Sequence, residues 1–310
     1  MLFAKRTVLN NKIMTETKME CVICERRGGE LILNNLPMLV CGSCGLIWRK
    51  YFDLDSDYYQ GRDFELSEEK IKARYSNSVS RIKIFKKYVD FNNICDVGCG
   101  EGLFLKALKD CGYKNIIGIE PSMKISEFAK ENELDIRNEA IENIDNSFFR
   151  ENNIKMITML HVIEHLKNPL DLMMNIFKGL EKGGRLIIET PNMDSYLLKK
   201  LNYQYDLIYF EHLYYFNKKN IIRFLEKIGF KIIAVGGRDF DPDNMSIKES
   251  LRKLGILNVE KKMASKCAKN NIVLVAKHNF NFLRKIVRRF LSKMVVVFNR
   301  EDYLWVVAEK

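Results

Sequence analysis

Residues 95–102 read Cys-Asp-Val-Gly-Cys-Gly-Glu-Gly. They follow a short apolar stretch, Phe91–Cys95, and precede a helical pattern over Leu103–Lys109. A strand, a glycine-rich turn and a helix are expected in that order. Gly98, Gly100 and Gly102 carry no Cβ to obstruct a ligand and can take left-handed dihedrals. The helix that follows offers unpaired N–H groups and the positive end of its dipole. In an open α/β sheet such a turn lies at the carboxyl end of a strand, where ligands bind.

Three stretches downstream fit the same frame. Asn115–Glu120 is a second apolar strand ending in an acid, about 20 residues past the turn, where a carboxylate accepts the hydroxyls of a ribose. Lys155–Leu160 is a fourth strand that opens onto His161-Val-Ile-Glu-His165. Gly183-Gly184 turns into a fifth, Arg-Leu-Ile-Ile-Glu-Thr-Pro191. Strands alternating with helices imply an α/β, doubly wound, mostly parallel sheet. Phe230–Val235 is expected as the sixth strand. The seventh has two candidates, Asn271–Lys277 and Tyr303–Glu309, and the first is preferred because it needs the smaller insertion.

The order Asp-Val-Gly-Cys-Gly-Glu-Gly, Gly-Ile-Glu-Pro-Ser, Val-Ile-Glu-His-Leu-Lys-Asn-Pro and Thr-Pro-Asn resembles the class I S-adenosylmethionine-dependent methyltransferases over roughly residues 80–235. The resemblance implies a seven-stranded Rossmann-like sheet and S-adenosylmethionine as cofactor. It assigns cofactor contacts to Asp96, Gly98, Cys99, Gly100, Gly102, Glu120, Asn138, Glu139, Leu160, His161 and His165. A nicotinamide-binding domain is the competitor, but its Gly-x-Gly-x-x-Gly fingerprint differs from Gly-x-Gly-x-Gly here. The fourth strand departs from the family by opening with Lys155-Met156 instead of an aromatic residue and Asp.

Cys21-Val-Ile-Cys24 and Cys41-Gly-Ser-Cys44 are two Cys-x-x-Cys knuckles with sixteen residues between them. That spacing suits a structural four-cysteine Zn²⁺ site, since each knuckle presents two thiolates to one ion; a pair of disulfides, free thiols or a rubredoxin-like iron site are the alternatives. Gly45 is expected to free a backbone N–H for sulfur. Cys-Gly-Ser-Cys-Gly-Leu-Ile-Trp is similar to the zinc-ribbon lead-in of small-molecule and sugar methyltransferases. Cys95, Cys99, Cys111 and Cys267 lack such spacing and read as small packing residues.

The chain has 310 residues, 47% hydrophobic, with a formal charge of +11. That supports one large core plus a small module. It contains no run near the ~20 apolar residues of a membrane span, and its polar first residues do not read as a secretory signal. A cytoplasmic protein is expected. The organisation reads as a polar arm (1–18), the ribbon (19–50), a lid or linker segment (51–90), the cofactor domain (91–277) and a basic extension (278–310). Within 51–90, Ile71, Tyr75, Val79, Ile82 and Phe85 mark a helix that precedes the sheet, and the resemblance implies that it closes over the cofactor. Residues 283–296 are amphipathic and basic. They read as a helix on the sheet, with peripheral contact to an anionic membrane as the alternative. The sequence leaves the oligomeric state open.

Methyl transfer requires an in-line nucleophile and something to take its proton. The chain offers four histidines for that work. His161 and His165 stand at the mouth of the fourth strand. His212 lies in Phe210-Glu-His-Leu-Tyr-Tyr-Phe216, and His278 has no neighbouring site. That stretch resembles the Glu-His-x-x-Tyr-Phe segment of zinc-ribbon sugar C-methyltransferases. Carried over, the resemblance makes Glu211 and His212 catalytic and lets Tyr209 or Tyr214 hold the substrate; the alternative is a histidine capping the helix near Lys218. A small acceptor is expected, a sugar or nucleotide-linked sugar by resemblance. A nucleic-acid substrate is not expected, because the Asn-Pro-Pro-Tyr loop of exocyclic-amine enzymes is replaced by His161-Val-Ile-Glu. A non-catalytic ribbon scaffold is the remaining alternative, and the intact glycine turn and Glu120 argue against it.

Overall fold

The computed structural model describes residues 6–9, 12–53, 67–200, 202–203, 208, 211–238 and 301–310. The amino-terminal part carries β1 (Arg6–Leu9), β2 (Lys12–Glu16), β3 (Gly29–Leu33), β4 (Leu36–Val40), β5 (Ile47–Arg49) and β6 (Tyr51–Asp53). β1, β2 and β6 form one small antiparallel sheet. β3, β4 and β5 form the ribbon, a sheet of two hairpin turns that leaves the four knuckle cysteines at its end.

Helix α1 (Glu68–Phe85) follows, capped by the Ser67 hydroxyl on the Lys70 N–H and carrying Glu68 and Glu69 in its first turn. It buries Ile82 and Phe85 as the periodicity predicts. The central domain alternates β7 (Ile94–Val97), α2 (Leu103–Asp110), β8 (Ile116–Ile119), α3 (Met123–Glu131), β9 (Asp135–Arg137), α4 (Asn146–Glu151), β10 (Met156–Leu160), α5 (Pro169–Gly179) and β11 (Arg185–Pro191). After α6 (Tyr196–Lys200) come β12 (Tyr214–Tyr215), α7 (Lys218–Ile228), β13 (Lys231–Arg238) and β14 (Tyr303–Glu309).

The main sheet has seven strands in the order β13-β14-β11-β10-β7-β8-β9. β7 pairs in parallel with β8 and β10, β8 with β9, and β10 with β11, while β14 runs antiparallel to both its neighbours. Strands β7, β10 and β11 are buried along nearly their whole length, which is why apolar residues fill most of their positions and Asp96, Thr158 and Glu189 inside them are hydrogen-bonded. The expected α/β doubly wound sheet is therefore present. Its last strand is Tyr303–Glu309: that segment fills the slot between β11 and β13, so the preference for Asn271–Lys277 is overturned and the sheet domain does not close at residue 277. Residues 271–277, the amphipathic segment 283–296, Cys267 and His278 lie outside the described residues. No helix among the described residues is long and apolar enough to cross a membrane.

β14 earns its place by packing. Trp305 lies edge-on to Phe85 of α1, with ring centroids 5.5 Å apart, and donates to the Gly237 carbonyl at 3.3 Å. A Cβ at Gly236 would collide with that indole, so the strand beside it needs glycine there.

Candidate cofactor and acceptor site

The glycine turn forms as its sequence requires. Gly98, Gly100 and Gly102 have φ of 72°, 53° and 71°. A Cβ at Gly98 would strike Val162 and one at Gly102 would strike Leu134, whereas one at Gly100 would project into open space. Gly100 thus marks the wall of a cradle, and its two neighbours fix the turn. The N–H groups of Gly98 and Cys99 donate to the Ile119 carbonyl at 2.8 and 3.0 Å, which locks the turn to the end of β8.

Glu120 sits beside it, 7% exposed. Its carboxylate accepts from the Gly100 N–H at 3.0 Å and the Ser122 N–H at 2.8 Å. Burial raises its pKa above the ordinary carboxylate value, and those two N–H bonds oppose the shift. Asn138 donates to the Glu120 and Pro121 carbonyls at 2.9 and 3.0 Å, so it stands at this edge of the cradle. Glu139 instead pairs with Arg137 at 3.7 Å on the surface. Asp96 is buried in β7 and accepts from the Thr158 hydroxyl at 2.6 Å; burial pushes it up to about 7. Cys95 and Cys99 are buried and their thiols are raised by that burial, which suits packing and not nucleophilic work. Leu160 ends β10 beside His161.

The mouth of β10 and β11 is a dense polar cluster. Glu189, fully buried, accepts from Arg81 at 2.6 and 3.0 Å, from Arg238 at 3.0 and 3.2 Å, and faces His161 Nε2 at 3.1 Å. Although burial acts to raise it, those cations hold its carboxyl well below the ordinary range. His161 has φ 60° and its other ring nitrogen lies 3.4 Å from Glu164. Burial alone would lower the histidine, but the two carboxylates raise it. His161 thus has a carboxylate facing each ring nitrogen. Arg81 and the Arg74–Glu101 ion pair together tie α1 across the mouth, from β11 to the glycine turn.

Glu164 is also fully buried. Its Oε2 accepts from the Thr190 hydroxyl at 2.9 Å, and its backbone carbonyl accepts the Leu213 N–H at 2.7 Å. Burial acts to raise its pKa, but His161, His165 and His212 bring it to about 2. His165 Nδ1 is 3.2 Å from the Glu211 carbonyl oxygen, and the His165 and His212 rings meet edge-on with centroids 4.7 Å apart. The sequence candidates His161, His165, Glu211 and His212 thus converge on one corner. The helix at Lys218 is capped by Asn217 in a reciprocal box with Asn220, so His212 is not its cap. Tyr214 is buried and stacks on Phe216 as core, and Tyr209 and Phe210 lie outside the described residues. The sequence reading missed Glu189, Arg81 and Arg238. The available signal was Glu189 itself, an acid inside an apolar strand, which must be paired when buried.

In the ribbon, Cys21 and Cys44 sulfurs are 3.5 Å apart and those of Cys24 and Cys41 are 3.2 Å apart. These are too long for disulfides. All four sulfurs lie within 4.8 Å of one another, an arrangement that fits one tetrahedral ion. Gly45 differs from expectation: its N–H goes to the Cys41 carbonyl at 2.9 Å, closing the knuckle turn with φ 73°.

A family model described as a methyltransferase domain matches residues 68–235, more than half of the chain. This chain belongs to the methyltransferase-domain family. Its fold is the class I S-adenosylmethionine-dependent one: it superposes with a TM-score of 0.50 on a SAM-dependent methyltransferase from Archaeoglobus fulgidus, 16% identical, covering 78% of this chain and 97% of that one. Among curated relatives, a tRNA U34 carboxymethyltransferase of Helicobacter acinonychis (strain Sheeba) is 25% identical over 142 residues, 43% of this chain and 53% of its own length. A mitochondrial ubiquinone biosynthesis O-methyltransferase of Dictyostelium discoideum is 30% identical over 152 residues, 40% of this chain and 46% of its own. The chain spans about half the length of the curated relatives it matches. The glycine turn, Glu120 and the histidine corner all fall inside the residues that the methyltransferase model covers.

Proposed function

We propose that this chain transfers a methyl group from S-adenosylmethionine to a small polar acceptor, a sugar or nucleotide-linked sugar, by O- or C-methylation. The observation that carries the cofactor half is Glu120, a buried acid joined by a hydrogen bond to the open-walled glycine turn. Glu120 would hold the ribose, Gly98–Gly102 the methionine side, and Asn138 the adenine edge. The cofactor supplies an electrophilic methyl on a sulfonium; the chain has to orient the acceptor and dispose of its proton.

The Glu211–His212 pair is the proton-handling element of this reading, supported by its convergence with Glu164 and His165 at the mouth of β10. His161 stands beside it, with a carboxylate facing each ring nitrogen. Cys21, Cys24, Cys41 and Cys44 would hold a structural Zn²⁺, which would add folding energy to the small ribbon. Reduced thiols suit a cytoplasmic location. The test is His212→Ala: turnover should fall roughly 10²–10⁴-fold with affinity for S-adenosylhomocysteine near wild type. Near-normal turnover would remove His212 from the chemistry.

A second reading, methylation of RNA, draws support from the named tRNA-modifying relatives and the charge of +11. Methyl incorporation into bulk tRNA, compared with nucleotide sugars, separates the two.

A further inference from the structure

We propose that Glu164, His165 and His212 form a second metal site, separate from the four cysteines, that takes a divalent first-row cation such as Mn²⁺. One ligand atom from each of the three lies within 4.8 Å of the others. The inference rests on reading this corner as the acceptor site and names the ion that would work there.

Glu164 carries the argument. It is fully buried, and no hydrogen bond reaches its Oε1, which faces His161 Nδ1 at 3.4 Å. A buried carboxylate oxygen without a donor is costly unless a cation satisfies it. The other oxygen is oriented by the Thr190 hydroxyl at 2.9 Å. His165 shows the same division of labour: Nδ1 stands 3.2 Å from the Glu211 carbonyl oxygen, so the proton belongs there and the lone pair falls on Nε2. A carboxylate steadied by a hydroxyl and an imidazole steadied by a backbone carbonyl are the outer-shell supports that metal ligands need. The third ligand is delivered by tertiary structure. The Leu213 N–H bonds the Glu164 carbonyl at 2.7 Å, which sets His212 against His165.

Two imidazoles and one carboxylate suit Mn²⁺, Fe²⁺ or Zn²⁺ better than Mg²⁺ or Ca²⁺. Three protein ligands leave positions for an acceptor oxygen. An acceptor hydroxyl bound there loses its proton more readily. Its oxygen pair then forms the bond to the methyl carbon as the carbon–sulfur bond breaks toward sulfur, and the proton leaves to solvent. His212 would then act on the acceptor's proton through the ion it holds.

The experiment is a titration of the full chain with Mn²⁺, following the free-ion signal by electron paramagnetic resonance; Mn²⁺ is chosen because soft thiolates favour zinc. About one Mn²⁺ per chain is expected to bind, with affinity at least tenfold weaker in Glu164→Gln and in His212→Ala. Each variant's binding of S-adenosylhomocysteine reports whether it is folded. Absence of Mn²⁺ binding by wild type, or unchanged binding in the folded variants, overturns the site while leaving the methyltransferase reading intact. Failure of wild type to bind S-adenosylhomocysteine would strike that reading instead. If Glu164→Gln does not fold, His212→Ala decides alone.

Discussion

Trp48 of the ribbon pairs with Tyr214 across an antiparallel ladder, two residues beyond His212. The next residue extends the join: the Arg49 N–H donates to the Leu213 carbonyl at 2.8 Å. The ribbon's last strand is therefore the surface on which the Glu211–Phe216 segment is laid. On the far side, Lys227 of α7 holds the first knuckle through the Val22 carbonyl at 3.2 Å and Glu25 at 2.8 Å.

This join makes the ribbon matter to turnover. Purified protein is expected to hold about one zinc per chain, and Cys41→Ser should lose it. Turnover should then fall on the order of 10²-fold, the cost of misplacing a catalytic group by about an ångström. Affinity for S-adenosylhomocysteine, read by β7, β8 and β9, should change little. Elemental analysis beside calorimetry checks this. Unimpaired turnover in metal-free protein would show that the segment stands without the ribbon.

The Glu189 cluster should be a stability element. Glu189→Gln leaves the guanidinium groups of Arg81 and Arg238 around a buried neutral amide. A loss of about 3–5 kcal/mol is expected, as for one partner removed from a buried ion pair. Denaturant midpoints with unchanged slope would measure it. A loss below about 1 kcal/mol would assign the charges to solvent.

Much of this was legible in the chain because local rules were enough. The turn at Gly98–Gly102, the acid at Glu120 and the doubled knuckles each depend on neighbours a few residues away. The last strand was not legible. Asn271–Lys277 and Tyr303–Glu309 both read as strands, and the second is placed by its ladders to β11 and β13 and by the packing of Trp305 on Phe85 and Gly236, contacts far off in sequence. The Glu189 cluster was hidden for a related reason. Its partners Arg81 and Arg238 lie 108 and 49 residues away, and a surface arginine on a helix looks the same in sequence as one turned inward. The ribbon's grip on residues 213–215 was equally invisible, since a two-residue strand leaves no periodicity to read.

Asp96 predicts a pH dependence in the cofactor-free protein. Its folded pKa is raised to about 7, above the roughly 3.9 of an unfolded chain. The native state therefore binds more protons than the unfolded state between those values, and stability falls as pH rises from about 4 to about 7. Asp96→Asn should flatten that slope. Denaturation curves at several pH values would show it, and a wild-type curve level through this range would contradict the assignment.

The most direct test is calorimetric titration of the whole chain with S-adenosylhomocysteine and, separately, with NAD. One site for the nucleoside thioether and no heat for NAD are expected. Glu120→Ala should weaken the first by about 1–3 kcal/mol, the size of a lost charge-assisted hydrogen bond. Tight binding of NAD with none of S-adenosylhomocysteine would contradict the account at its root.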